Sequence, residues 1–182
     1  MDRLGEIHVF GRLPARTEAD LREIVACSSA LAVVRSERAR SAQPFPNSTD
    51  LERALVPLLT ERGFAHHVRL THPRTGEGFE YDFWRPDDQV AMEVMGYRAD
   101  DEIYKDIVKF HVHDATRVGV VWVPRWKWIS GRRTETNYRA TMKALAFAES
   151  YMDVEALVAV AYDWSLAVGQ NGWTLTIWSA AS

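Results

Sequence analysis

Asp82 and Glu93 are the residues whose type and spacing most directly suggest chemistry. They lie in Tyr81-Asp82-Phe83-Trp84-Arg85-Pro86-Asp87-Asp88-Gln89-Val90-Ala91-Met92-Glu93-Val94-Met95. This stretch reads as a strand, a tight turn and a second strand, with one acid inside each strand. A carboxylate inside a strand is costly to desolvate unless something compensates, and two side by side repel. A cation between them answers both problems. Side chains alternate along a strand, so Glu80, Asp82 and Trp84 share one face, as do Ala91, Glu93 and Met95 on the next. If the strands pair, the two acids project toward one point. Two carboxylates suit a hard cation such as Mg²⁺ (or Mn²⁺), which binds few protein ligands and keeps several waters. Such an ion activates water and neutralises charge on a phosphodiester. The plainer alternative leaves Asp82 at the surface near a turn and Glu93 on a solvated strand face.

The surrounding elements must hold the two acids in place. Residues 4–10 alternate weakly and predict a short strand. Residues 18–31 predict a helix with Leu21, Ile24 and Val25 on one face and Thr17 as its N-cap. Residues 31–34 are a short apolar run, and the polar stretch 36–48, with Pro44 and Pro46, reads as a loop. A second helix opens at Ser48: Thr49 followed by Glu52 fits a capping box. Leu51, Leu55, Leu58 and Leu59 form its apolar stripe, Pro57 is placed to kink it, and Gly63 is a natural stop. Strands follow at 66–71, 78–85 and 89–96, separated by turn residues. Residues 101–110 predict a helix with Ile103, Ile107 and Phe110 inward. The unbroken apolar run 118–123 predicts a central strand buried on both faces. A helix at 137–151 and strands at 156–161 and 174–178 complete the order. No repeat or linker divides residues 1–182. The pattern predicts one α/β domain with a central mixed β-sheet flanked by helices.

One run of elements resembles a known family. Asp82, ten residues, Glu93-x-Met95, a helix ending Lys105-Asp106-Ile107-Val108-Lys109-Phe110, and the strand Val118-Gly119-Val120-Val121-Trp122-Val123-Pro124 follow one another. This run resembles the PD-(D/E)XK, restriction-endonuclease-like nuclease core, and more narrowly the BamHI- and BglII-type branch. The likeness covers about residues 45–125. It implies a restriction-endonuclease-like fold and a metal-dependent endonuclease that cuts DNA phosphodiesters. Asp82 and Glu93 would hold Mg²⁺ (or Mn²⁺), and Glu52 on the first core helix would approach the metal through water. The last motif position, ordinarily Lys and in this branch Gln or Glu, is Met95 here. A thioether is no general base, carries no charge and is a poor Mg²⁺ ligand. Either Lys105 or Lys109, four apart on one helical face, supplies the missing charge, or the chemistry has weakened or been lost. The alternative function is therefore a catalytically inactive nuclease-fold module that binds nucleic acid or protein.

The best candidate surface for such binding is Pro124-Arg125-Trp126-Lys127-Trp128-Ile129-Ser130-Gly131-Arg132-Arg133. Arg125, Lys127, Arg132 and Arg133 suit phosphates, and Trp126 and Trp128 suit stacking on bases. The competing reading packs the rings on the sheet and leaves the charges on a solvated loop. Arg35, Arg38 and Arg40 form a weaker patch. Adjacent histidines on a strand face opposite ways, so His66 and His67 are not expected to share an ion. His111 and His113 share a face only in extended chain. No HExxH helix, GxSxG turn or phosphate loop occurs, which argues against zinc-protease, serine-hydrolase and P-loop chemistry.

Bulk properties agree with this reading without specifying it. The chain has 182 residues, 47% hydrophobic and 26% charged, enough for a real core. A net charge of −3 gives no global attraction to DNA, so local basic patches must supply it. Cys27 is the single cysteine. It rules out an intrachain disulfide, fits a cytoplasmic setting, and is expected to be a buried small apolar residue. No signal peptide or membrane span is expected. Cutting both strands of a duplex calls for two sites, hence a homodimer.

Overall fold

The apolar run from Val118 lies at the centre of a mixed sheet, where its composition predicts it. The computed structural model describes residues 2–4, 7–28, 32–33, 46–96, 100–112, 115–129, 132–166 and 173–177. Among these, the strands are β1 (Asp2–Leu4), β2 (Ile7–Gly11), β3 (Ala32–Val33), β4 (Ala65–Thr71), β5 (Gly78–Arg85), β6 (Val90–Val94), β7 (Val118–Pro124), β8 (Lys127–Ile129), β9 (Arg132–Thr134), β10 (Ala156–Leu166) and β11 (Trp173–Ile177). The helices are α1 (Ala15–Ser28), α2 (Ser48–Thr60), α3 (Asp100–Val112) and α4 (Thr136–Glu149). The main sheet runs β1-β2-β10-β7-β6-β5-β4, with β11 on β10 and β3 on β11. β7 pairs in parallel with both β6 and β10, and all seven of its residues are buried. That double burial is why its sequence is apolar throughout rather than alternating. β5 pairs antiparallel with both β4 and β6.

Each sheet face is covered by its own helices. On one, Leu21 and Ile24 of α1 and Leu51, Leu55 and Leu59 of α2 pack on Val90, Met92, Val118, Val120 and Trp122. On the other, Ile103, Ile107 and Phe110 of α3 and Ala144, Leu145 and Ala148 of α4 pack on Ala91, Met95, Val121 and Val123. Full burial of Leu51, Leu55 and Leu59 contributes about 1.5–3 kcal/mol each, which offsets about 3 kcal/mol for Pro57 inside the helix. The α3 face is tight: a Cβ on Gly119 would lie 2.6 Å from the Phe110 ring.

Four local expectations change. The α2 cap is Asn47, whose side chain accepts from the Asp50 N–H while the Asp50 carboxylate accepts from the Asn47 N–H. The box is thus two residues earlier than Thr49 and Glu52, because Asn and Asp satisfy the same free donors, and Glu52 is released for other partners. α1 starts at Ala15, so Thr17 is a buried helical residue rather than the cap. Cys27 is exposed, because the buried stripe of α1 consists of Leu21, Ile24, Val25 and Ser28. The expected basic loop after β7 is instead the β8–β9 hairpin, pairing Lys127 with Thr134 and Ile129 with Arg132. The 36–45 part of the predicted loop, with Arg35, Arg38, Arg40 and His113, lies outside the described residues.

Candidate active site

β5 and β6 bring the two acids together where their ladder ends. Phe83 pairs with Met92 and Trp84 with Ala91, so continuing the register sets Asp82 opposite Glu93. There a side chain replaces a strand partner: Asp82 Oδ2 accepts the Val94 N–H at 2.7 Å. Glu93 is 3% exposed. Burial first, then the charge of Asp82, pushes its carboxyl up to about 9. Burial likewise raises Asp82, against the pull of its bond from Val94. Neither acid is on the solvated face of the plainer reading.

Lys109 closes the group. Its Nζ donates to Glu93 Oε2 at 3.1 Å and lies 3.2 Å from Asp106 Oδ1. Burial lowers the Lys109 ammonium, but Glu93 and Asp106 outweigh that and hold it above the ordinary lysine range. The C-terminal turn of α3 is tied down by Tyr81, whose hydroxyl donates to the Lys109 carbonyl at 2.6 Å and whose ring stacks on Phe110. Lys105, one turn earlier, is exposed. Asp106 is buried rather than on a solvated helix face, and its role in seating Lys109 was missed from sequence. Its spacing three residues before Lys109, beside the inward Ile107, was the available signal.

Met95 is on the Glu93 face but belongs to the core. It is 1% exposed, packed with the α3 and α4 residues, with its sulfur 3.8 Å from the Thr141 hydroxyl. A lysine does reach Glu93, but from α3 rather than from the motif position. The donors fit a divalent cation on an observation of this structure: Glu93 Oε1 is buried without a hydrogen-bond partner. A cation held by Asp82 and Glu93 would satisfy that oxygen and offset the two charges.

Glu52 holds two histidines, while its charge still reaches Asp82 and helps raise that carboxyl. Its Oε1 lies 2.6 Å from His66 Nε2 and 2.7 Å from His67 Nε2. The two rings expected on opposite faces meet on one carboxylate, because His67 has a left-handed backbone (φ 53°) that breaks the strand's alternation.

A family model described as "Putative halobacteria restriction endonuclease" matches residues 9–162. The chain belongs to this restriction-endonuclease family. No curated protein sequence matches it significantly. Among solved structures it is similar to restriction endonuclease BglII complexed with a DNA 16-mer, at TM-score 0.57 and 12% identity, over 96% of this chain and 89% of that one. Free BglII gives TM-score 0.45 at 11% identity, over 96% and 91%. The complex shows a shared restriction-endonuclease-like fold, as the resemblance implies.

In this restriction-endonuclease family member the start of the basic segment is anchored beside the N-terminal end of α4. Arg125 is ion-paired with Glu135, and its guanidinium lies 4.0 Å over the Tyr138 ring, so its charge is committed inside the protein. Trp126 is half-buried and lines an open cavity with Tyr104, Thr134, Thr136, Arg139 and Lys143. Arg132 is exposed. Lys127, Trp128 and Arg133 have described backbone in the hairpin, while their side chains lie outside the described set. Among the described residues no helix is long and apolar enough to cross a membrane.

Proposed function

We propose that the protein, as one restriction-endonuclease-like domain, is a metal-dependent nuclease acting on DNA phosphodiesters. The observation that carries this reading is the hydrogen bond from Lys109 Nζ to Glu93 Oε2, 3.1 Å long, beside Asp82. It restores from α3 the positive charge that Met95 cannot supply. Asp82 and Glu93 would hold Mg²⁺ or Mn²⁺, which supplies Lewis-acid stabilisation of the phosphoryl oxygens when bound. Asp82 is oriented by the Val94 N–H. Lys109, seated by Asp106 and the Tyr81 contact, presents its ammonium where negative charge develops on the phosphate. Arg132 and Trp126, with the hairpin residues Lys127, Trp128 and Arg133, are the proposed DNA contacts, and the family match supports DNA as the partner.

The protein would act as a homodimer. Tyr104 and Val108 of α3, Phe147 of α4 and Tyr151 just after it are large apolar residues 44–72% exposed, forming one patch with His111 and Met152. Exposed apolar patches of this kind mark association surfaces.

The test is Mg²⁺- and Mn²⁺-dependent cleavage of supercoiled plasmid, with thermal stabilisation by each ion alongside. Wild type should be stabilised by Mg²⁺ and should cut, while Asp82→Asn and Glu93→Gln lose both. Absence of any metal shift, with Glu93→Gln indistinguishable from wild type on DNA, would overturn the nuclease. DNA binding abolished by Lys127→Ala with Arg132→Ala, without a metal effect, would assign the protein to the inactive binding module.

A further inference from the structure

We propose a second metal site, formed by Glu52, His66 and His67, that takes a divalent transition ion of the zinc type. The three residues each offer one ligand atom, all within 4.8 Å of one another. Two imidazole nitrogens and one carboxylate oxygen form a zinc ligand set that leaves a position open for water. Ligand atoms around a tetrahedral Zn²⁺ at about 2.0–2.1 Å lie roughly 3.3 Å apart. Here the two nitrogens lie 2.6 and 2.7 Å from Glu52 Oε1, a gap that a small rotation of the Glu52 side chain covers.

The backbone is arranged to bring the rings together. Across β4 and β5, Ala65 pairs with Trp84, His66 with Phe83 and Val68 with Tyr81, while His67, opposite Asp82, leaves the ladder. Its φ of 53° is uncommon outside glycine, though histidine adopts it more readily than most residues. The consequence is that the His66 and His67 ring centroids are 4.0 Å apart. His66 is also steadied by the Phe83 ring at 5.0 Å.

A further contact gives His67 the orientation of a ligand. Its Nδ1 lies 2.9 Å from Glu80 Oε1. A carboxylate on Nδ1 fixes a proton there, so an ion would bind at Nε2, which now faces Glu52 Oε1 at 2.7 Å, with release of the Nε2 proton. β4 is the sheet's outer strand, and the two histidine side chains are 31% and 51% exposed, so ions reach the site from solvent. Nitrogen ligands favour transition ions, whereas the all-oxygen Asp82–Glu93 pair favours Mg²⁺. The two sites are therefore chemically distinct, and the second does not require that the first be catalytic.

The experiment is a titration of chelator-treated full-length protein with Co²⁺, read by visible absorption, then displacement by Zn²⁺. Wild type should bind about one Co²⁺ per chain with the intense bands of a low-coordinate site, displaced by Zn²⁺ but not by excess Mg²⁺. His66→Ala, His67→Ala and Glu52→Ala should each weaken binding roughly 100-fold or more, and Glu80→Gln roughly tenfold. His66→Gln and His67→Gln replace the alanine variants if circular dichroism shows that those fail to fold. Asp82→Asn and Glu93→Gln should keep the Co²⁺ bands even though they lose cleavage. Absence of the bands, their persistence in both histidine variants, or their loss in Glu93→Gln would overturn the proposal.

Discussion

Glu93 sits where burial and a neighbouring acid both oppose ionisation, and this gives the protein a particular pH dependence. With divalent ions chelated, the folded state holds a proton on Glu93 up to about pH 9, whereas an ordinary Glu releases it near 4.5. Between those values the folded chain binds more protons than the unfolded one, so stability falls as pH rises. The stabilisation is complete below about pH 4.5 and is lost on passing about 9. Thermal unfolding of metal-free protein should show this decline, and Glu93→Gln should flatten it, becoming more stable than wild type at pH 8. Equal pH slopes for the two would contradict the burial assigned to Glu93. Lys109 opposes the same trend through its bonds to Glu93 and Asp106. Lys109→Met removes the donor to Glu93 and the cation beside Asp106, and should cost about 2 kcal/mol at pH 8. It should also reduce cleavage about 100-fold if its charge meets the phosphate. Denaturant titration and single-turnover cleavage separate the two effects.

α3 is the element that brings Lys109 to the candidate site, and its position depends on close packing against β7. The Phe110 ring lies over Gly119 with no room for a Cβ. Gly119→Ala should therefore displace α3 and cost about 1–3 kcal/mol, measured as a shift in the urea midpoint. Because Lys109 adjoins Phe110, the same change should lower cleavage, while Asn47→Ala should cost about 1 kcal/mol through the α2 cap and leave cleavage nearly unchanged. The helix and strand pattern was legible in sequence. β5 occupies its expected span, and β4, β6, β7 and α3 lie within a residue or two of theirs, because periodicity and turn residues are local signals. Cap identity was less legible: Asn47–Asp50 and Thr49–Glu52 both satisfy the capping pattern, and packing of Leu51, Leu55 and Leu59 selects the start. Arg125 shows another limit. It reads as a phosphate contact beside two Trp residues, yet Glu135 and Tyr138, brought back by the β8–β9 turn, capture it.

For the whole molecule, the exposed apolar patch on α3 and α4 predicts association through that face. Phe147→Asp combined with Tyr151→Asp should convert a dimer to a monomer in sedimentation velocity, without changing the far-ultraviolet circular dichroism. A wild-type monomer at tens of micromolar would remove the dimer from the proposed function. The residue pattern alone was enough for the α/β class, the acid-bearing strands and the resemblance to the restriction-endonuclease core. Each of these rests on periodicity, residue chemistry and order along the chain. Folding selected what depends on distant residues meeting. It placed Lys109 on Glu93, buried Asp106 behind it, and sank Met95 beneath α3 and α4. It also turned His67 through one left-handed backbone angle to join His66 on Glu52. Alternation rules foresee none of these contacts, because a single φ reverses a side chain and packing across the sheet settles which charge reaches which acid.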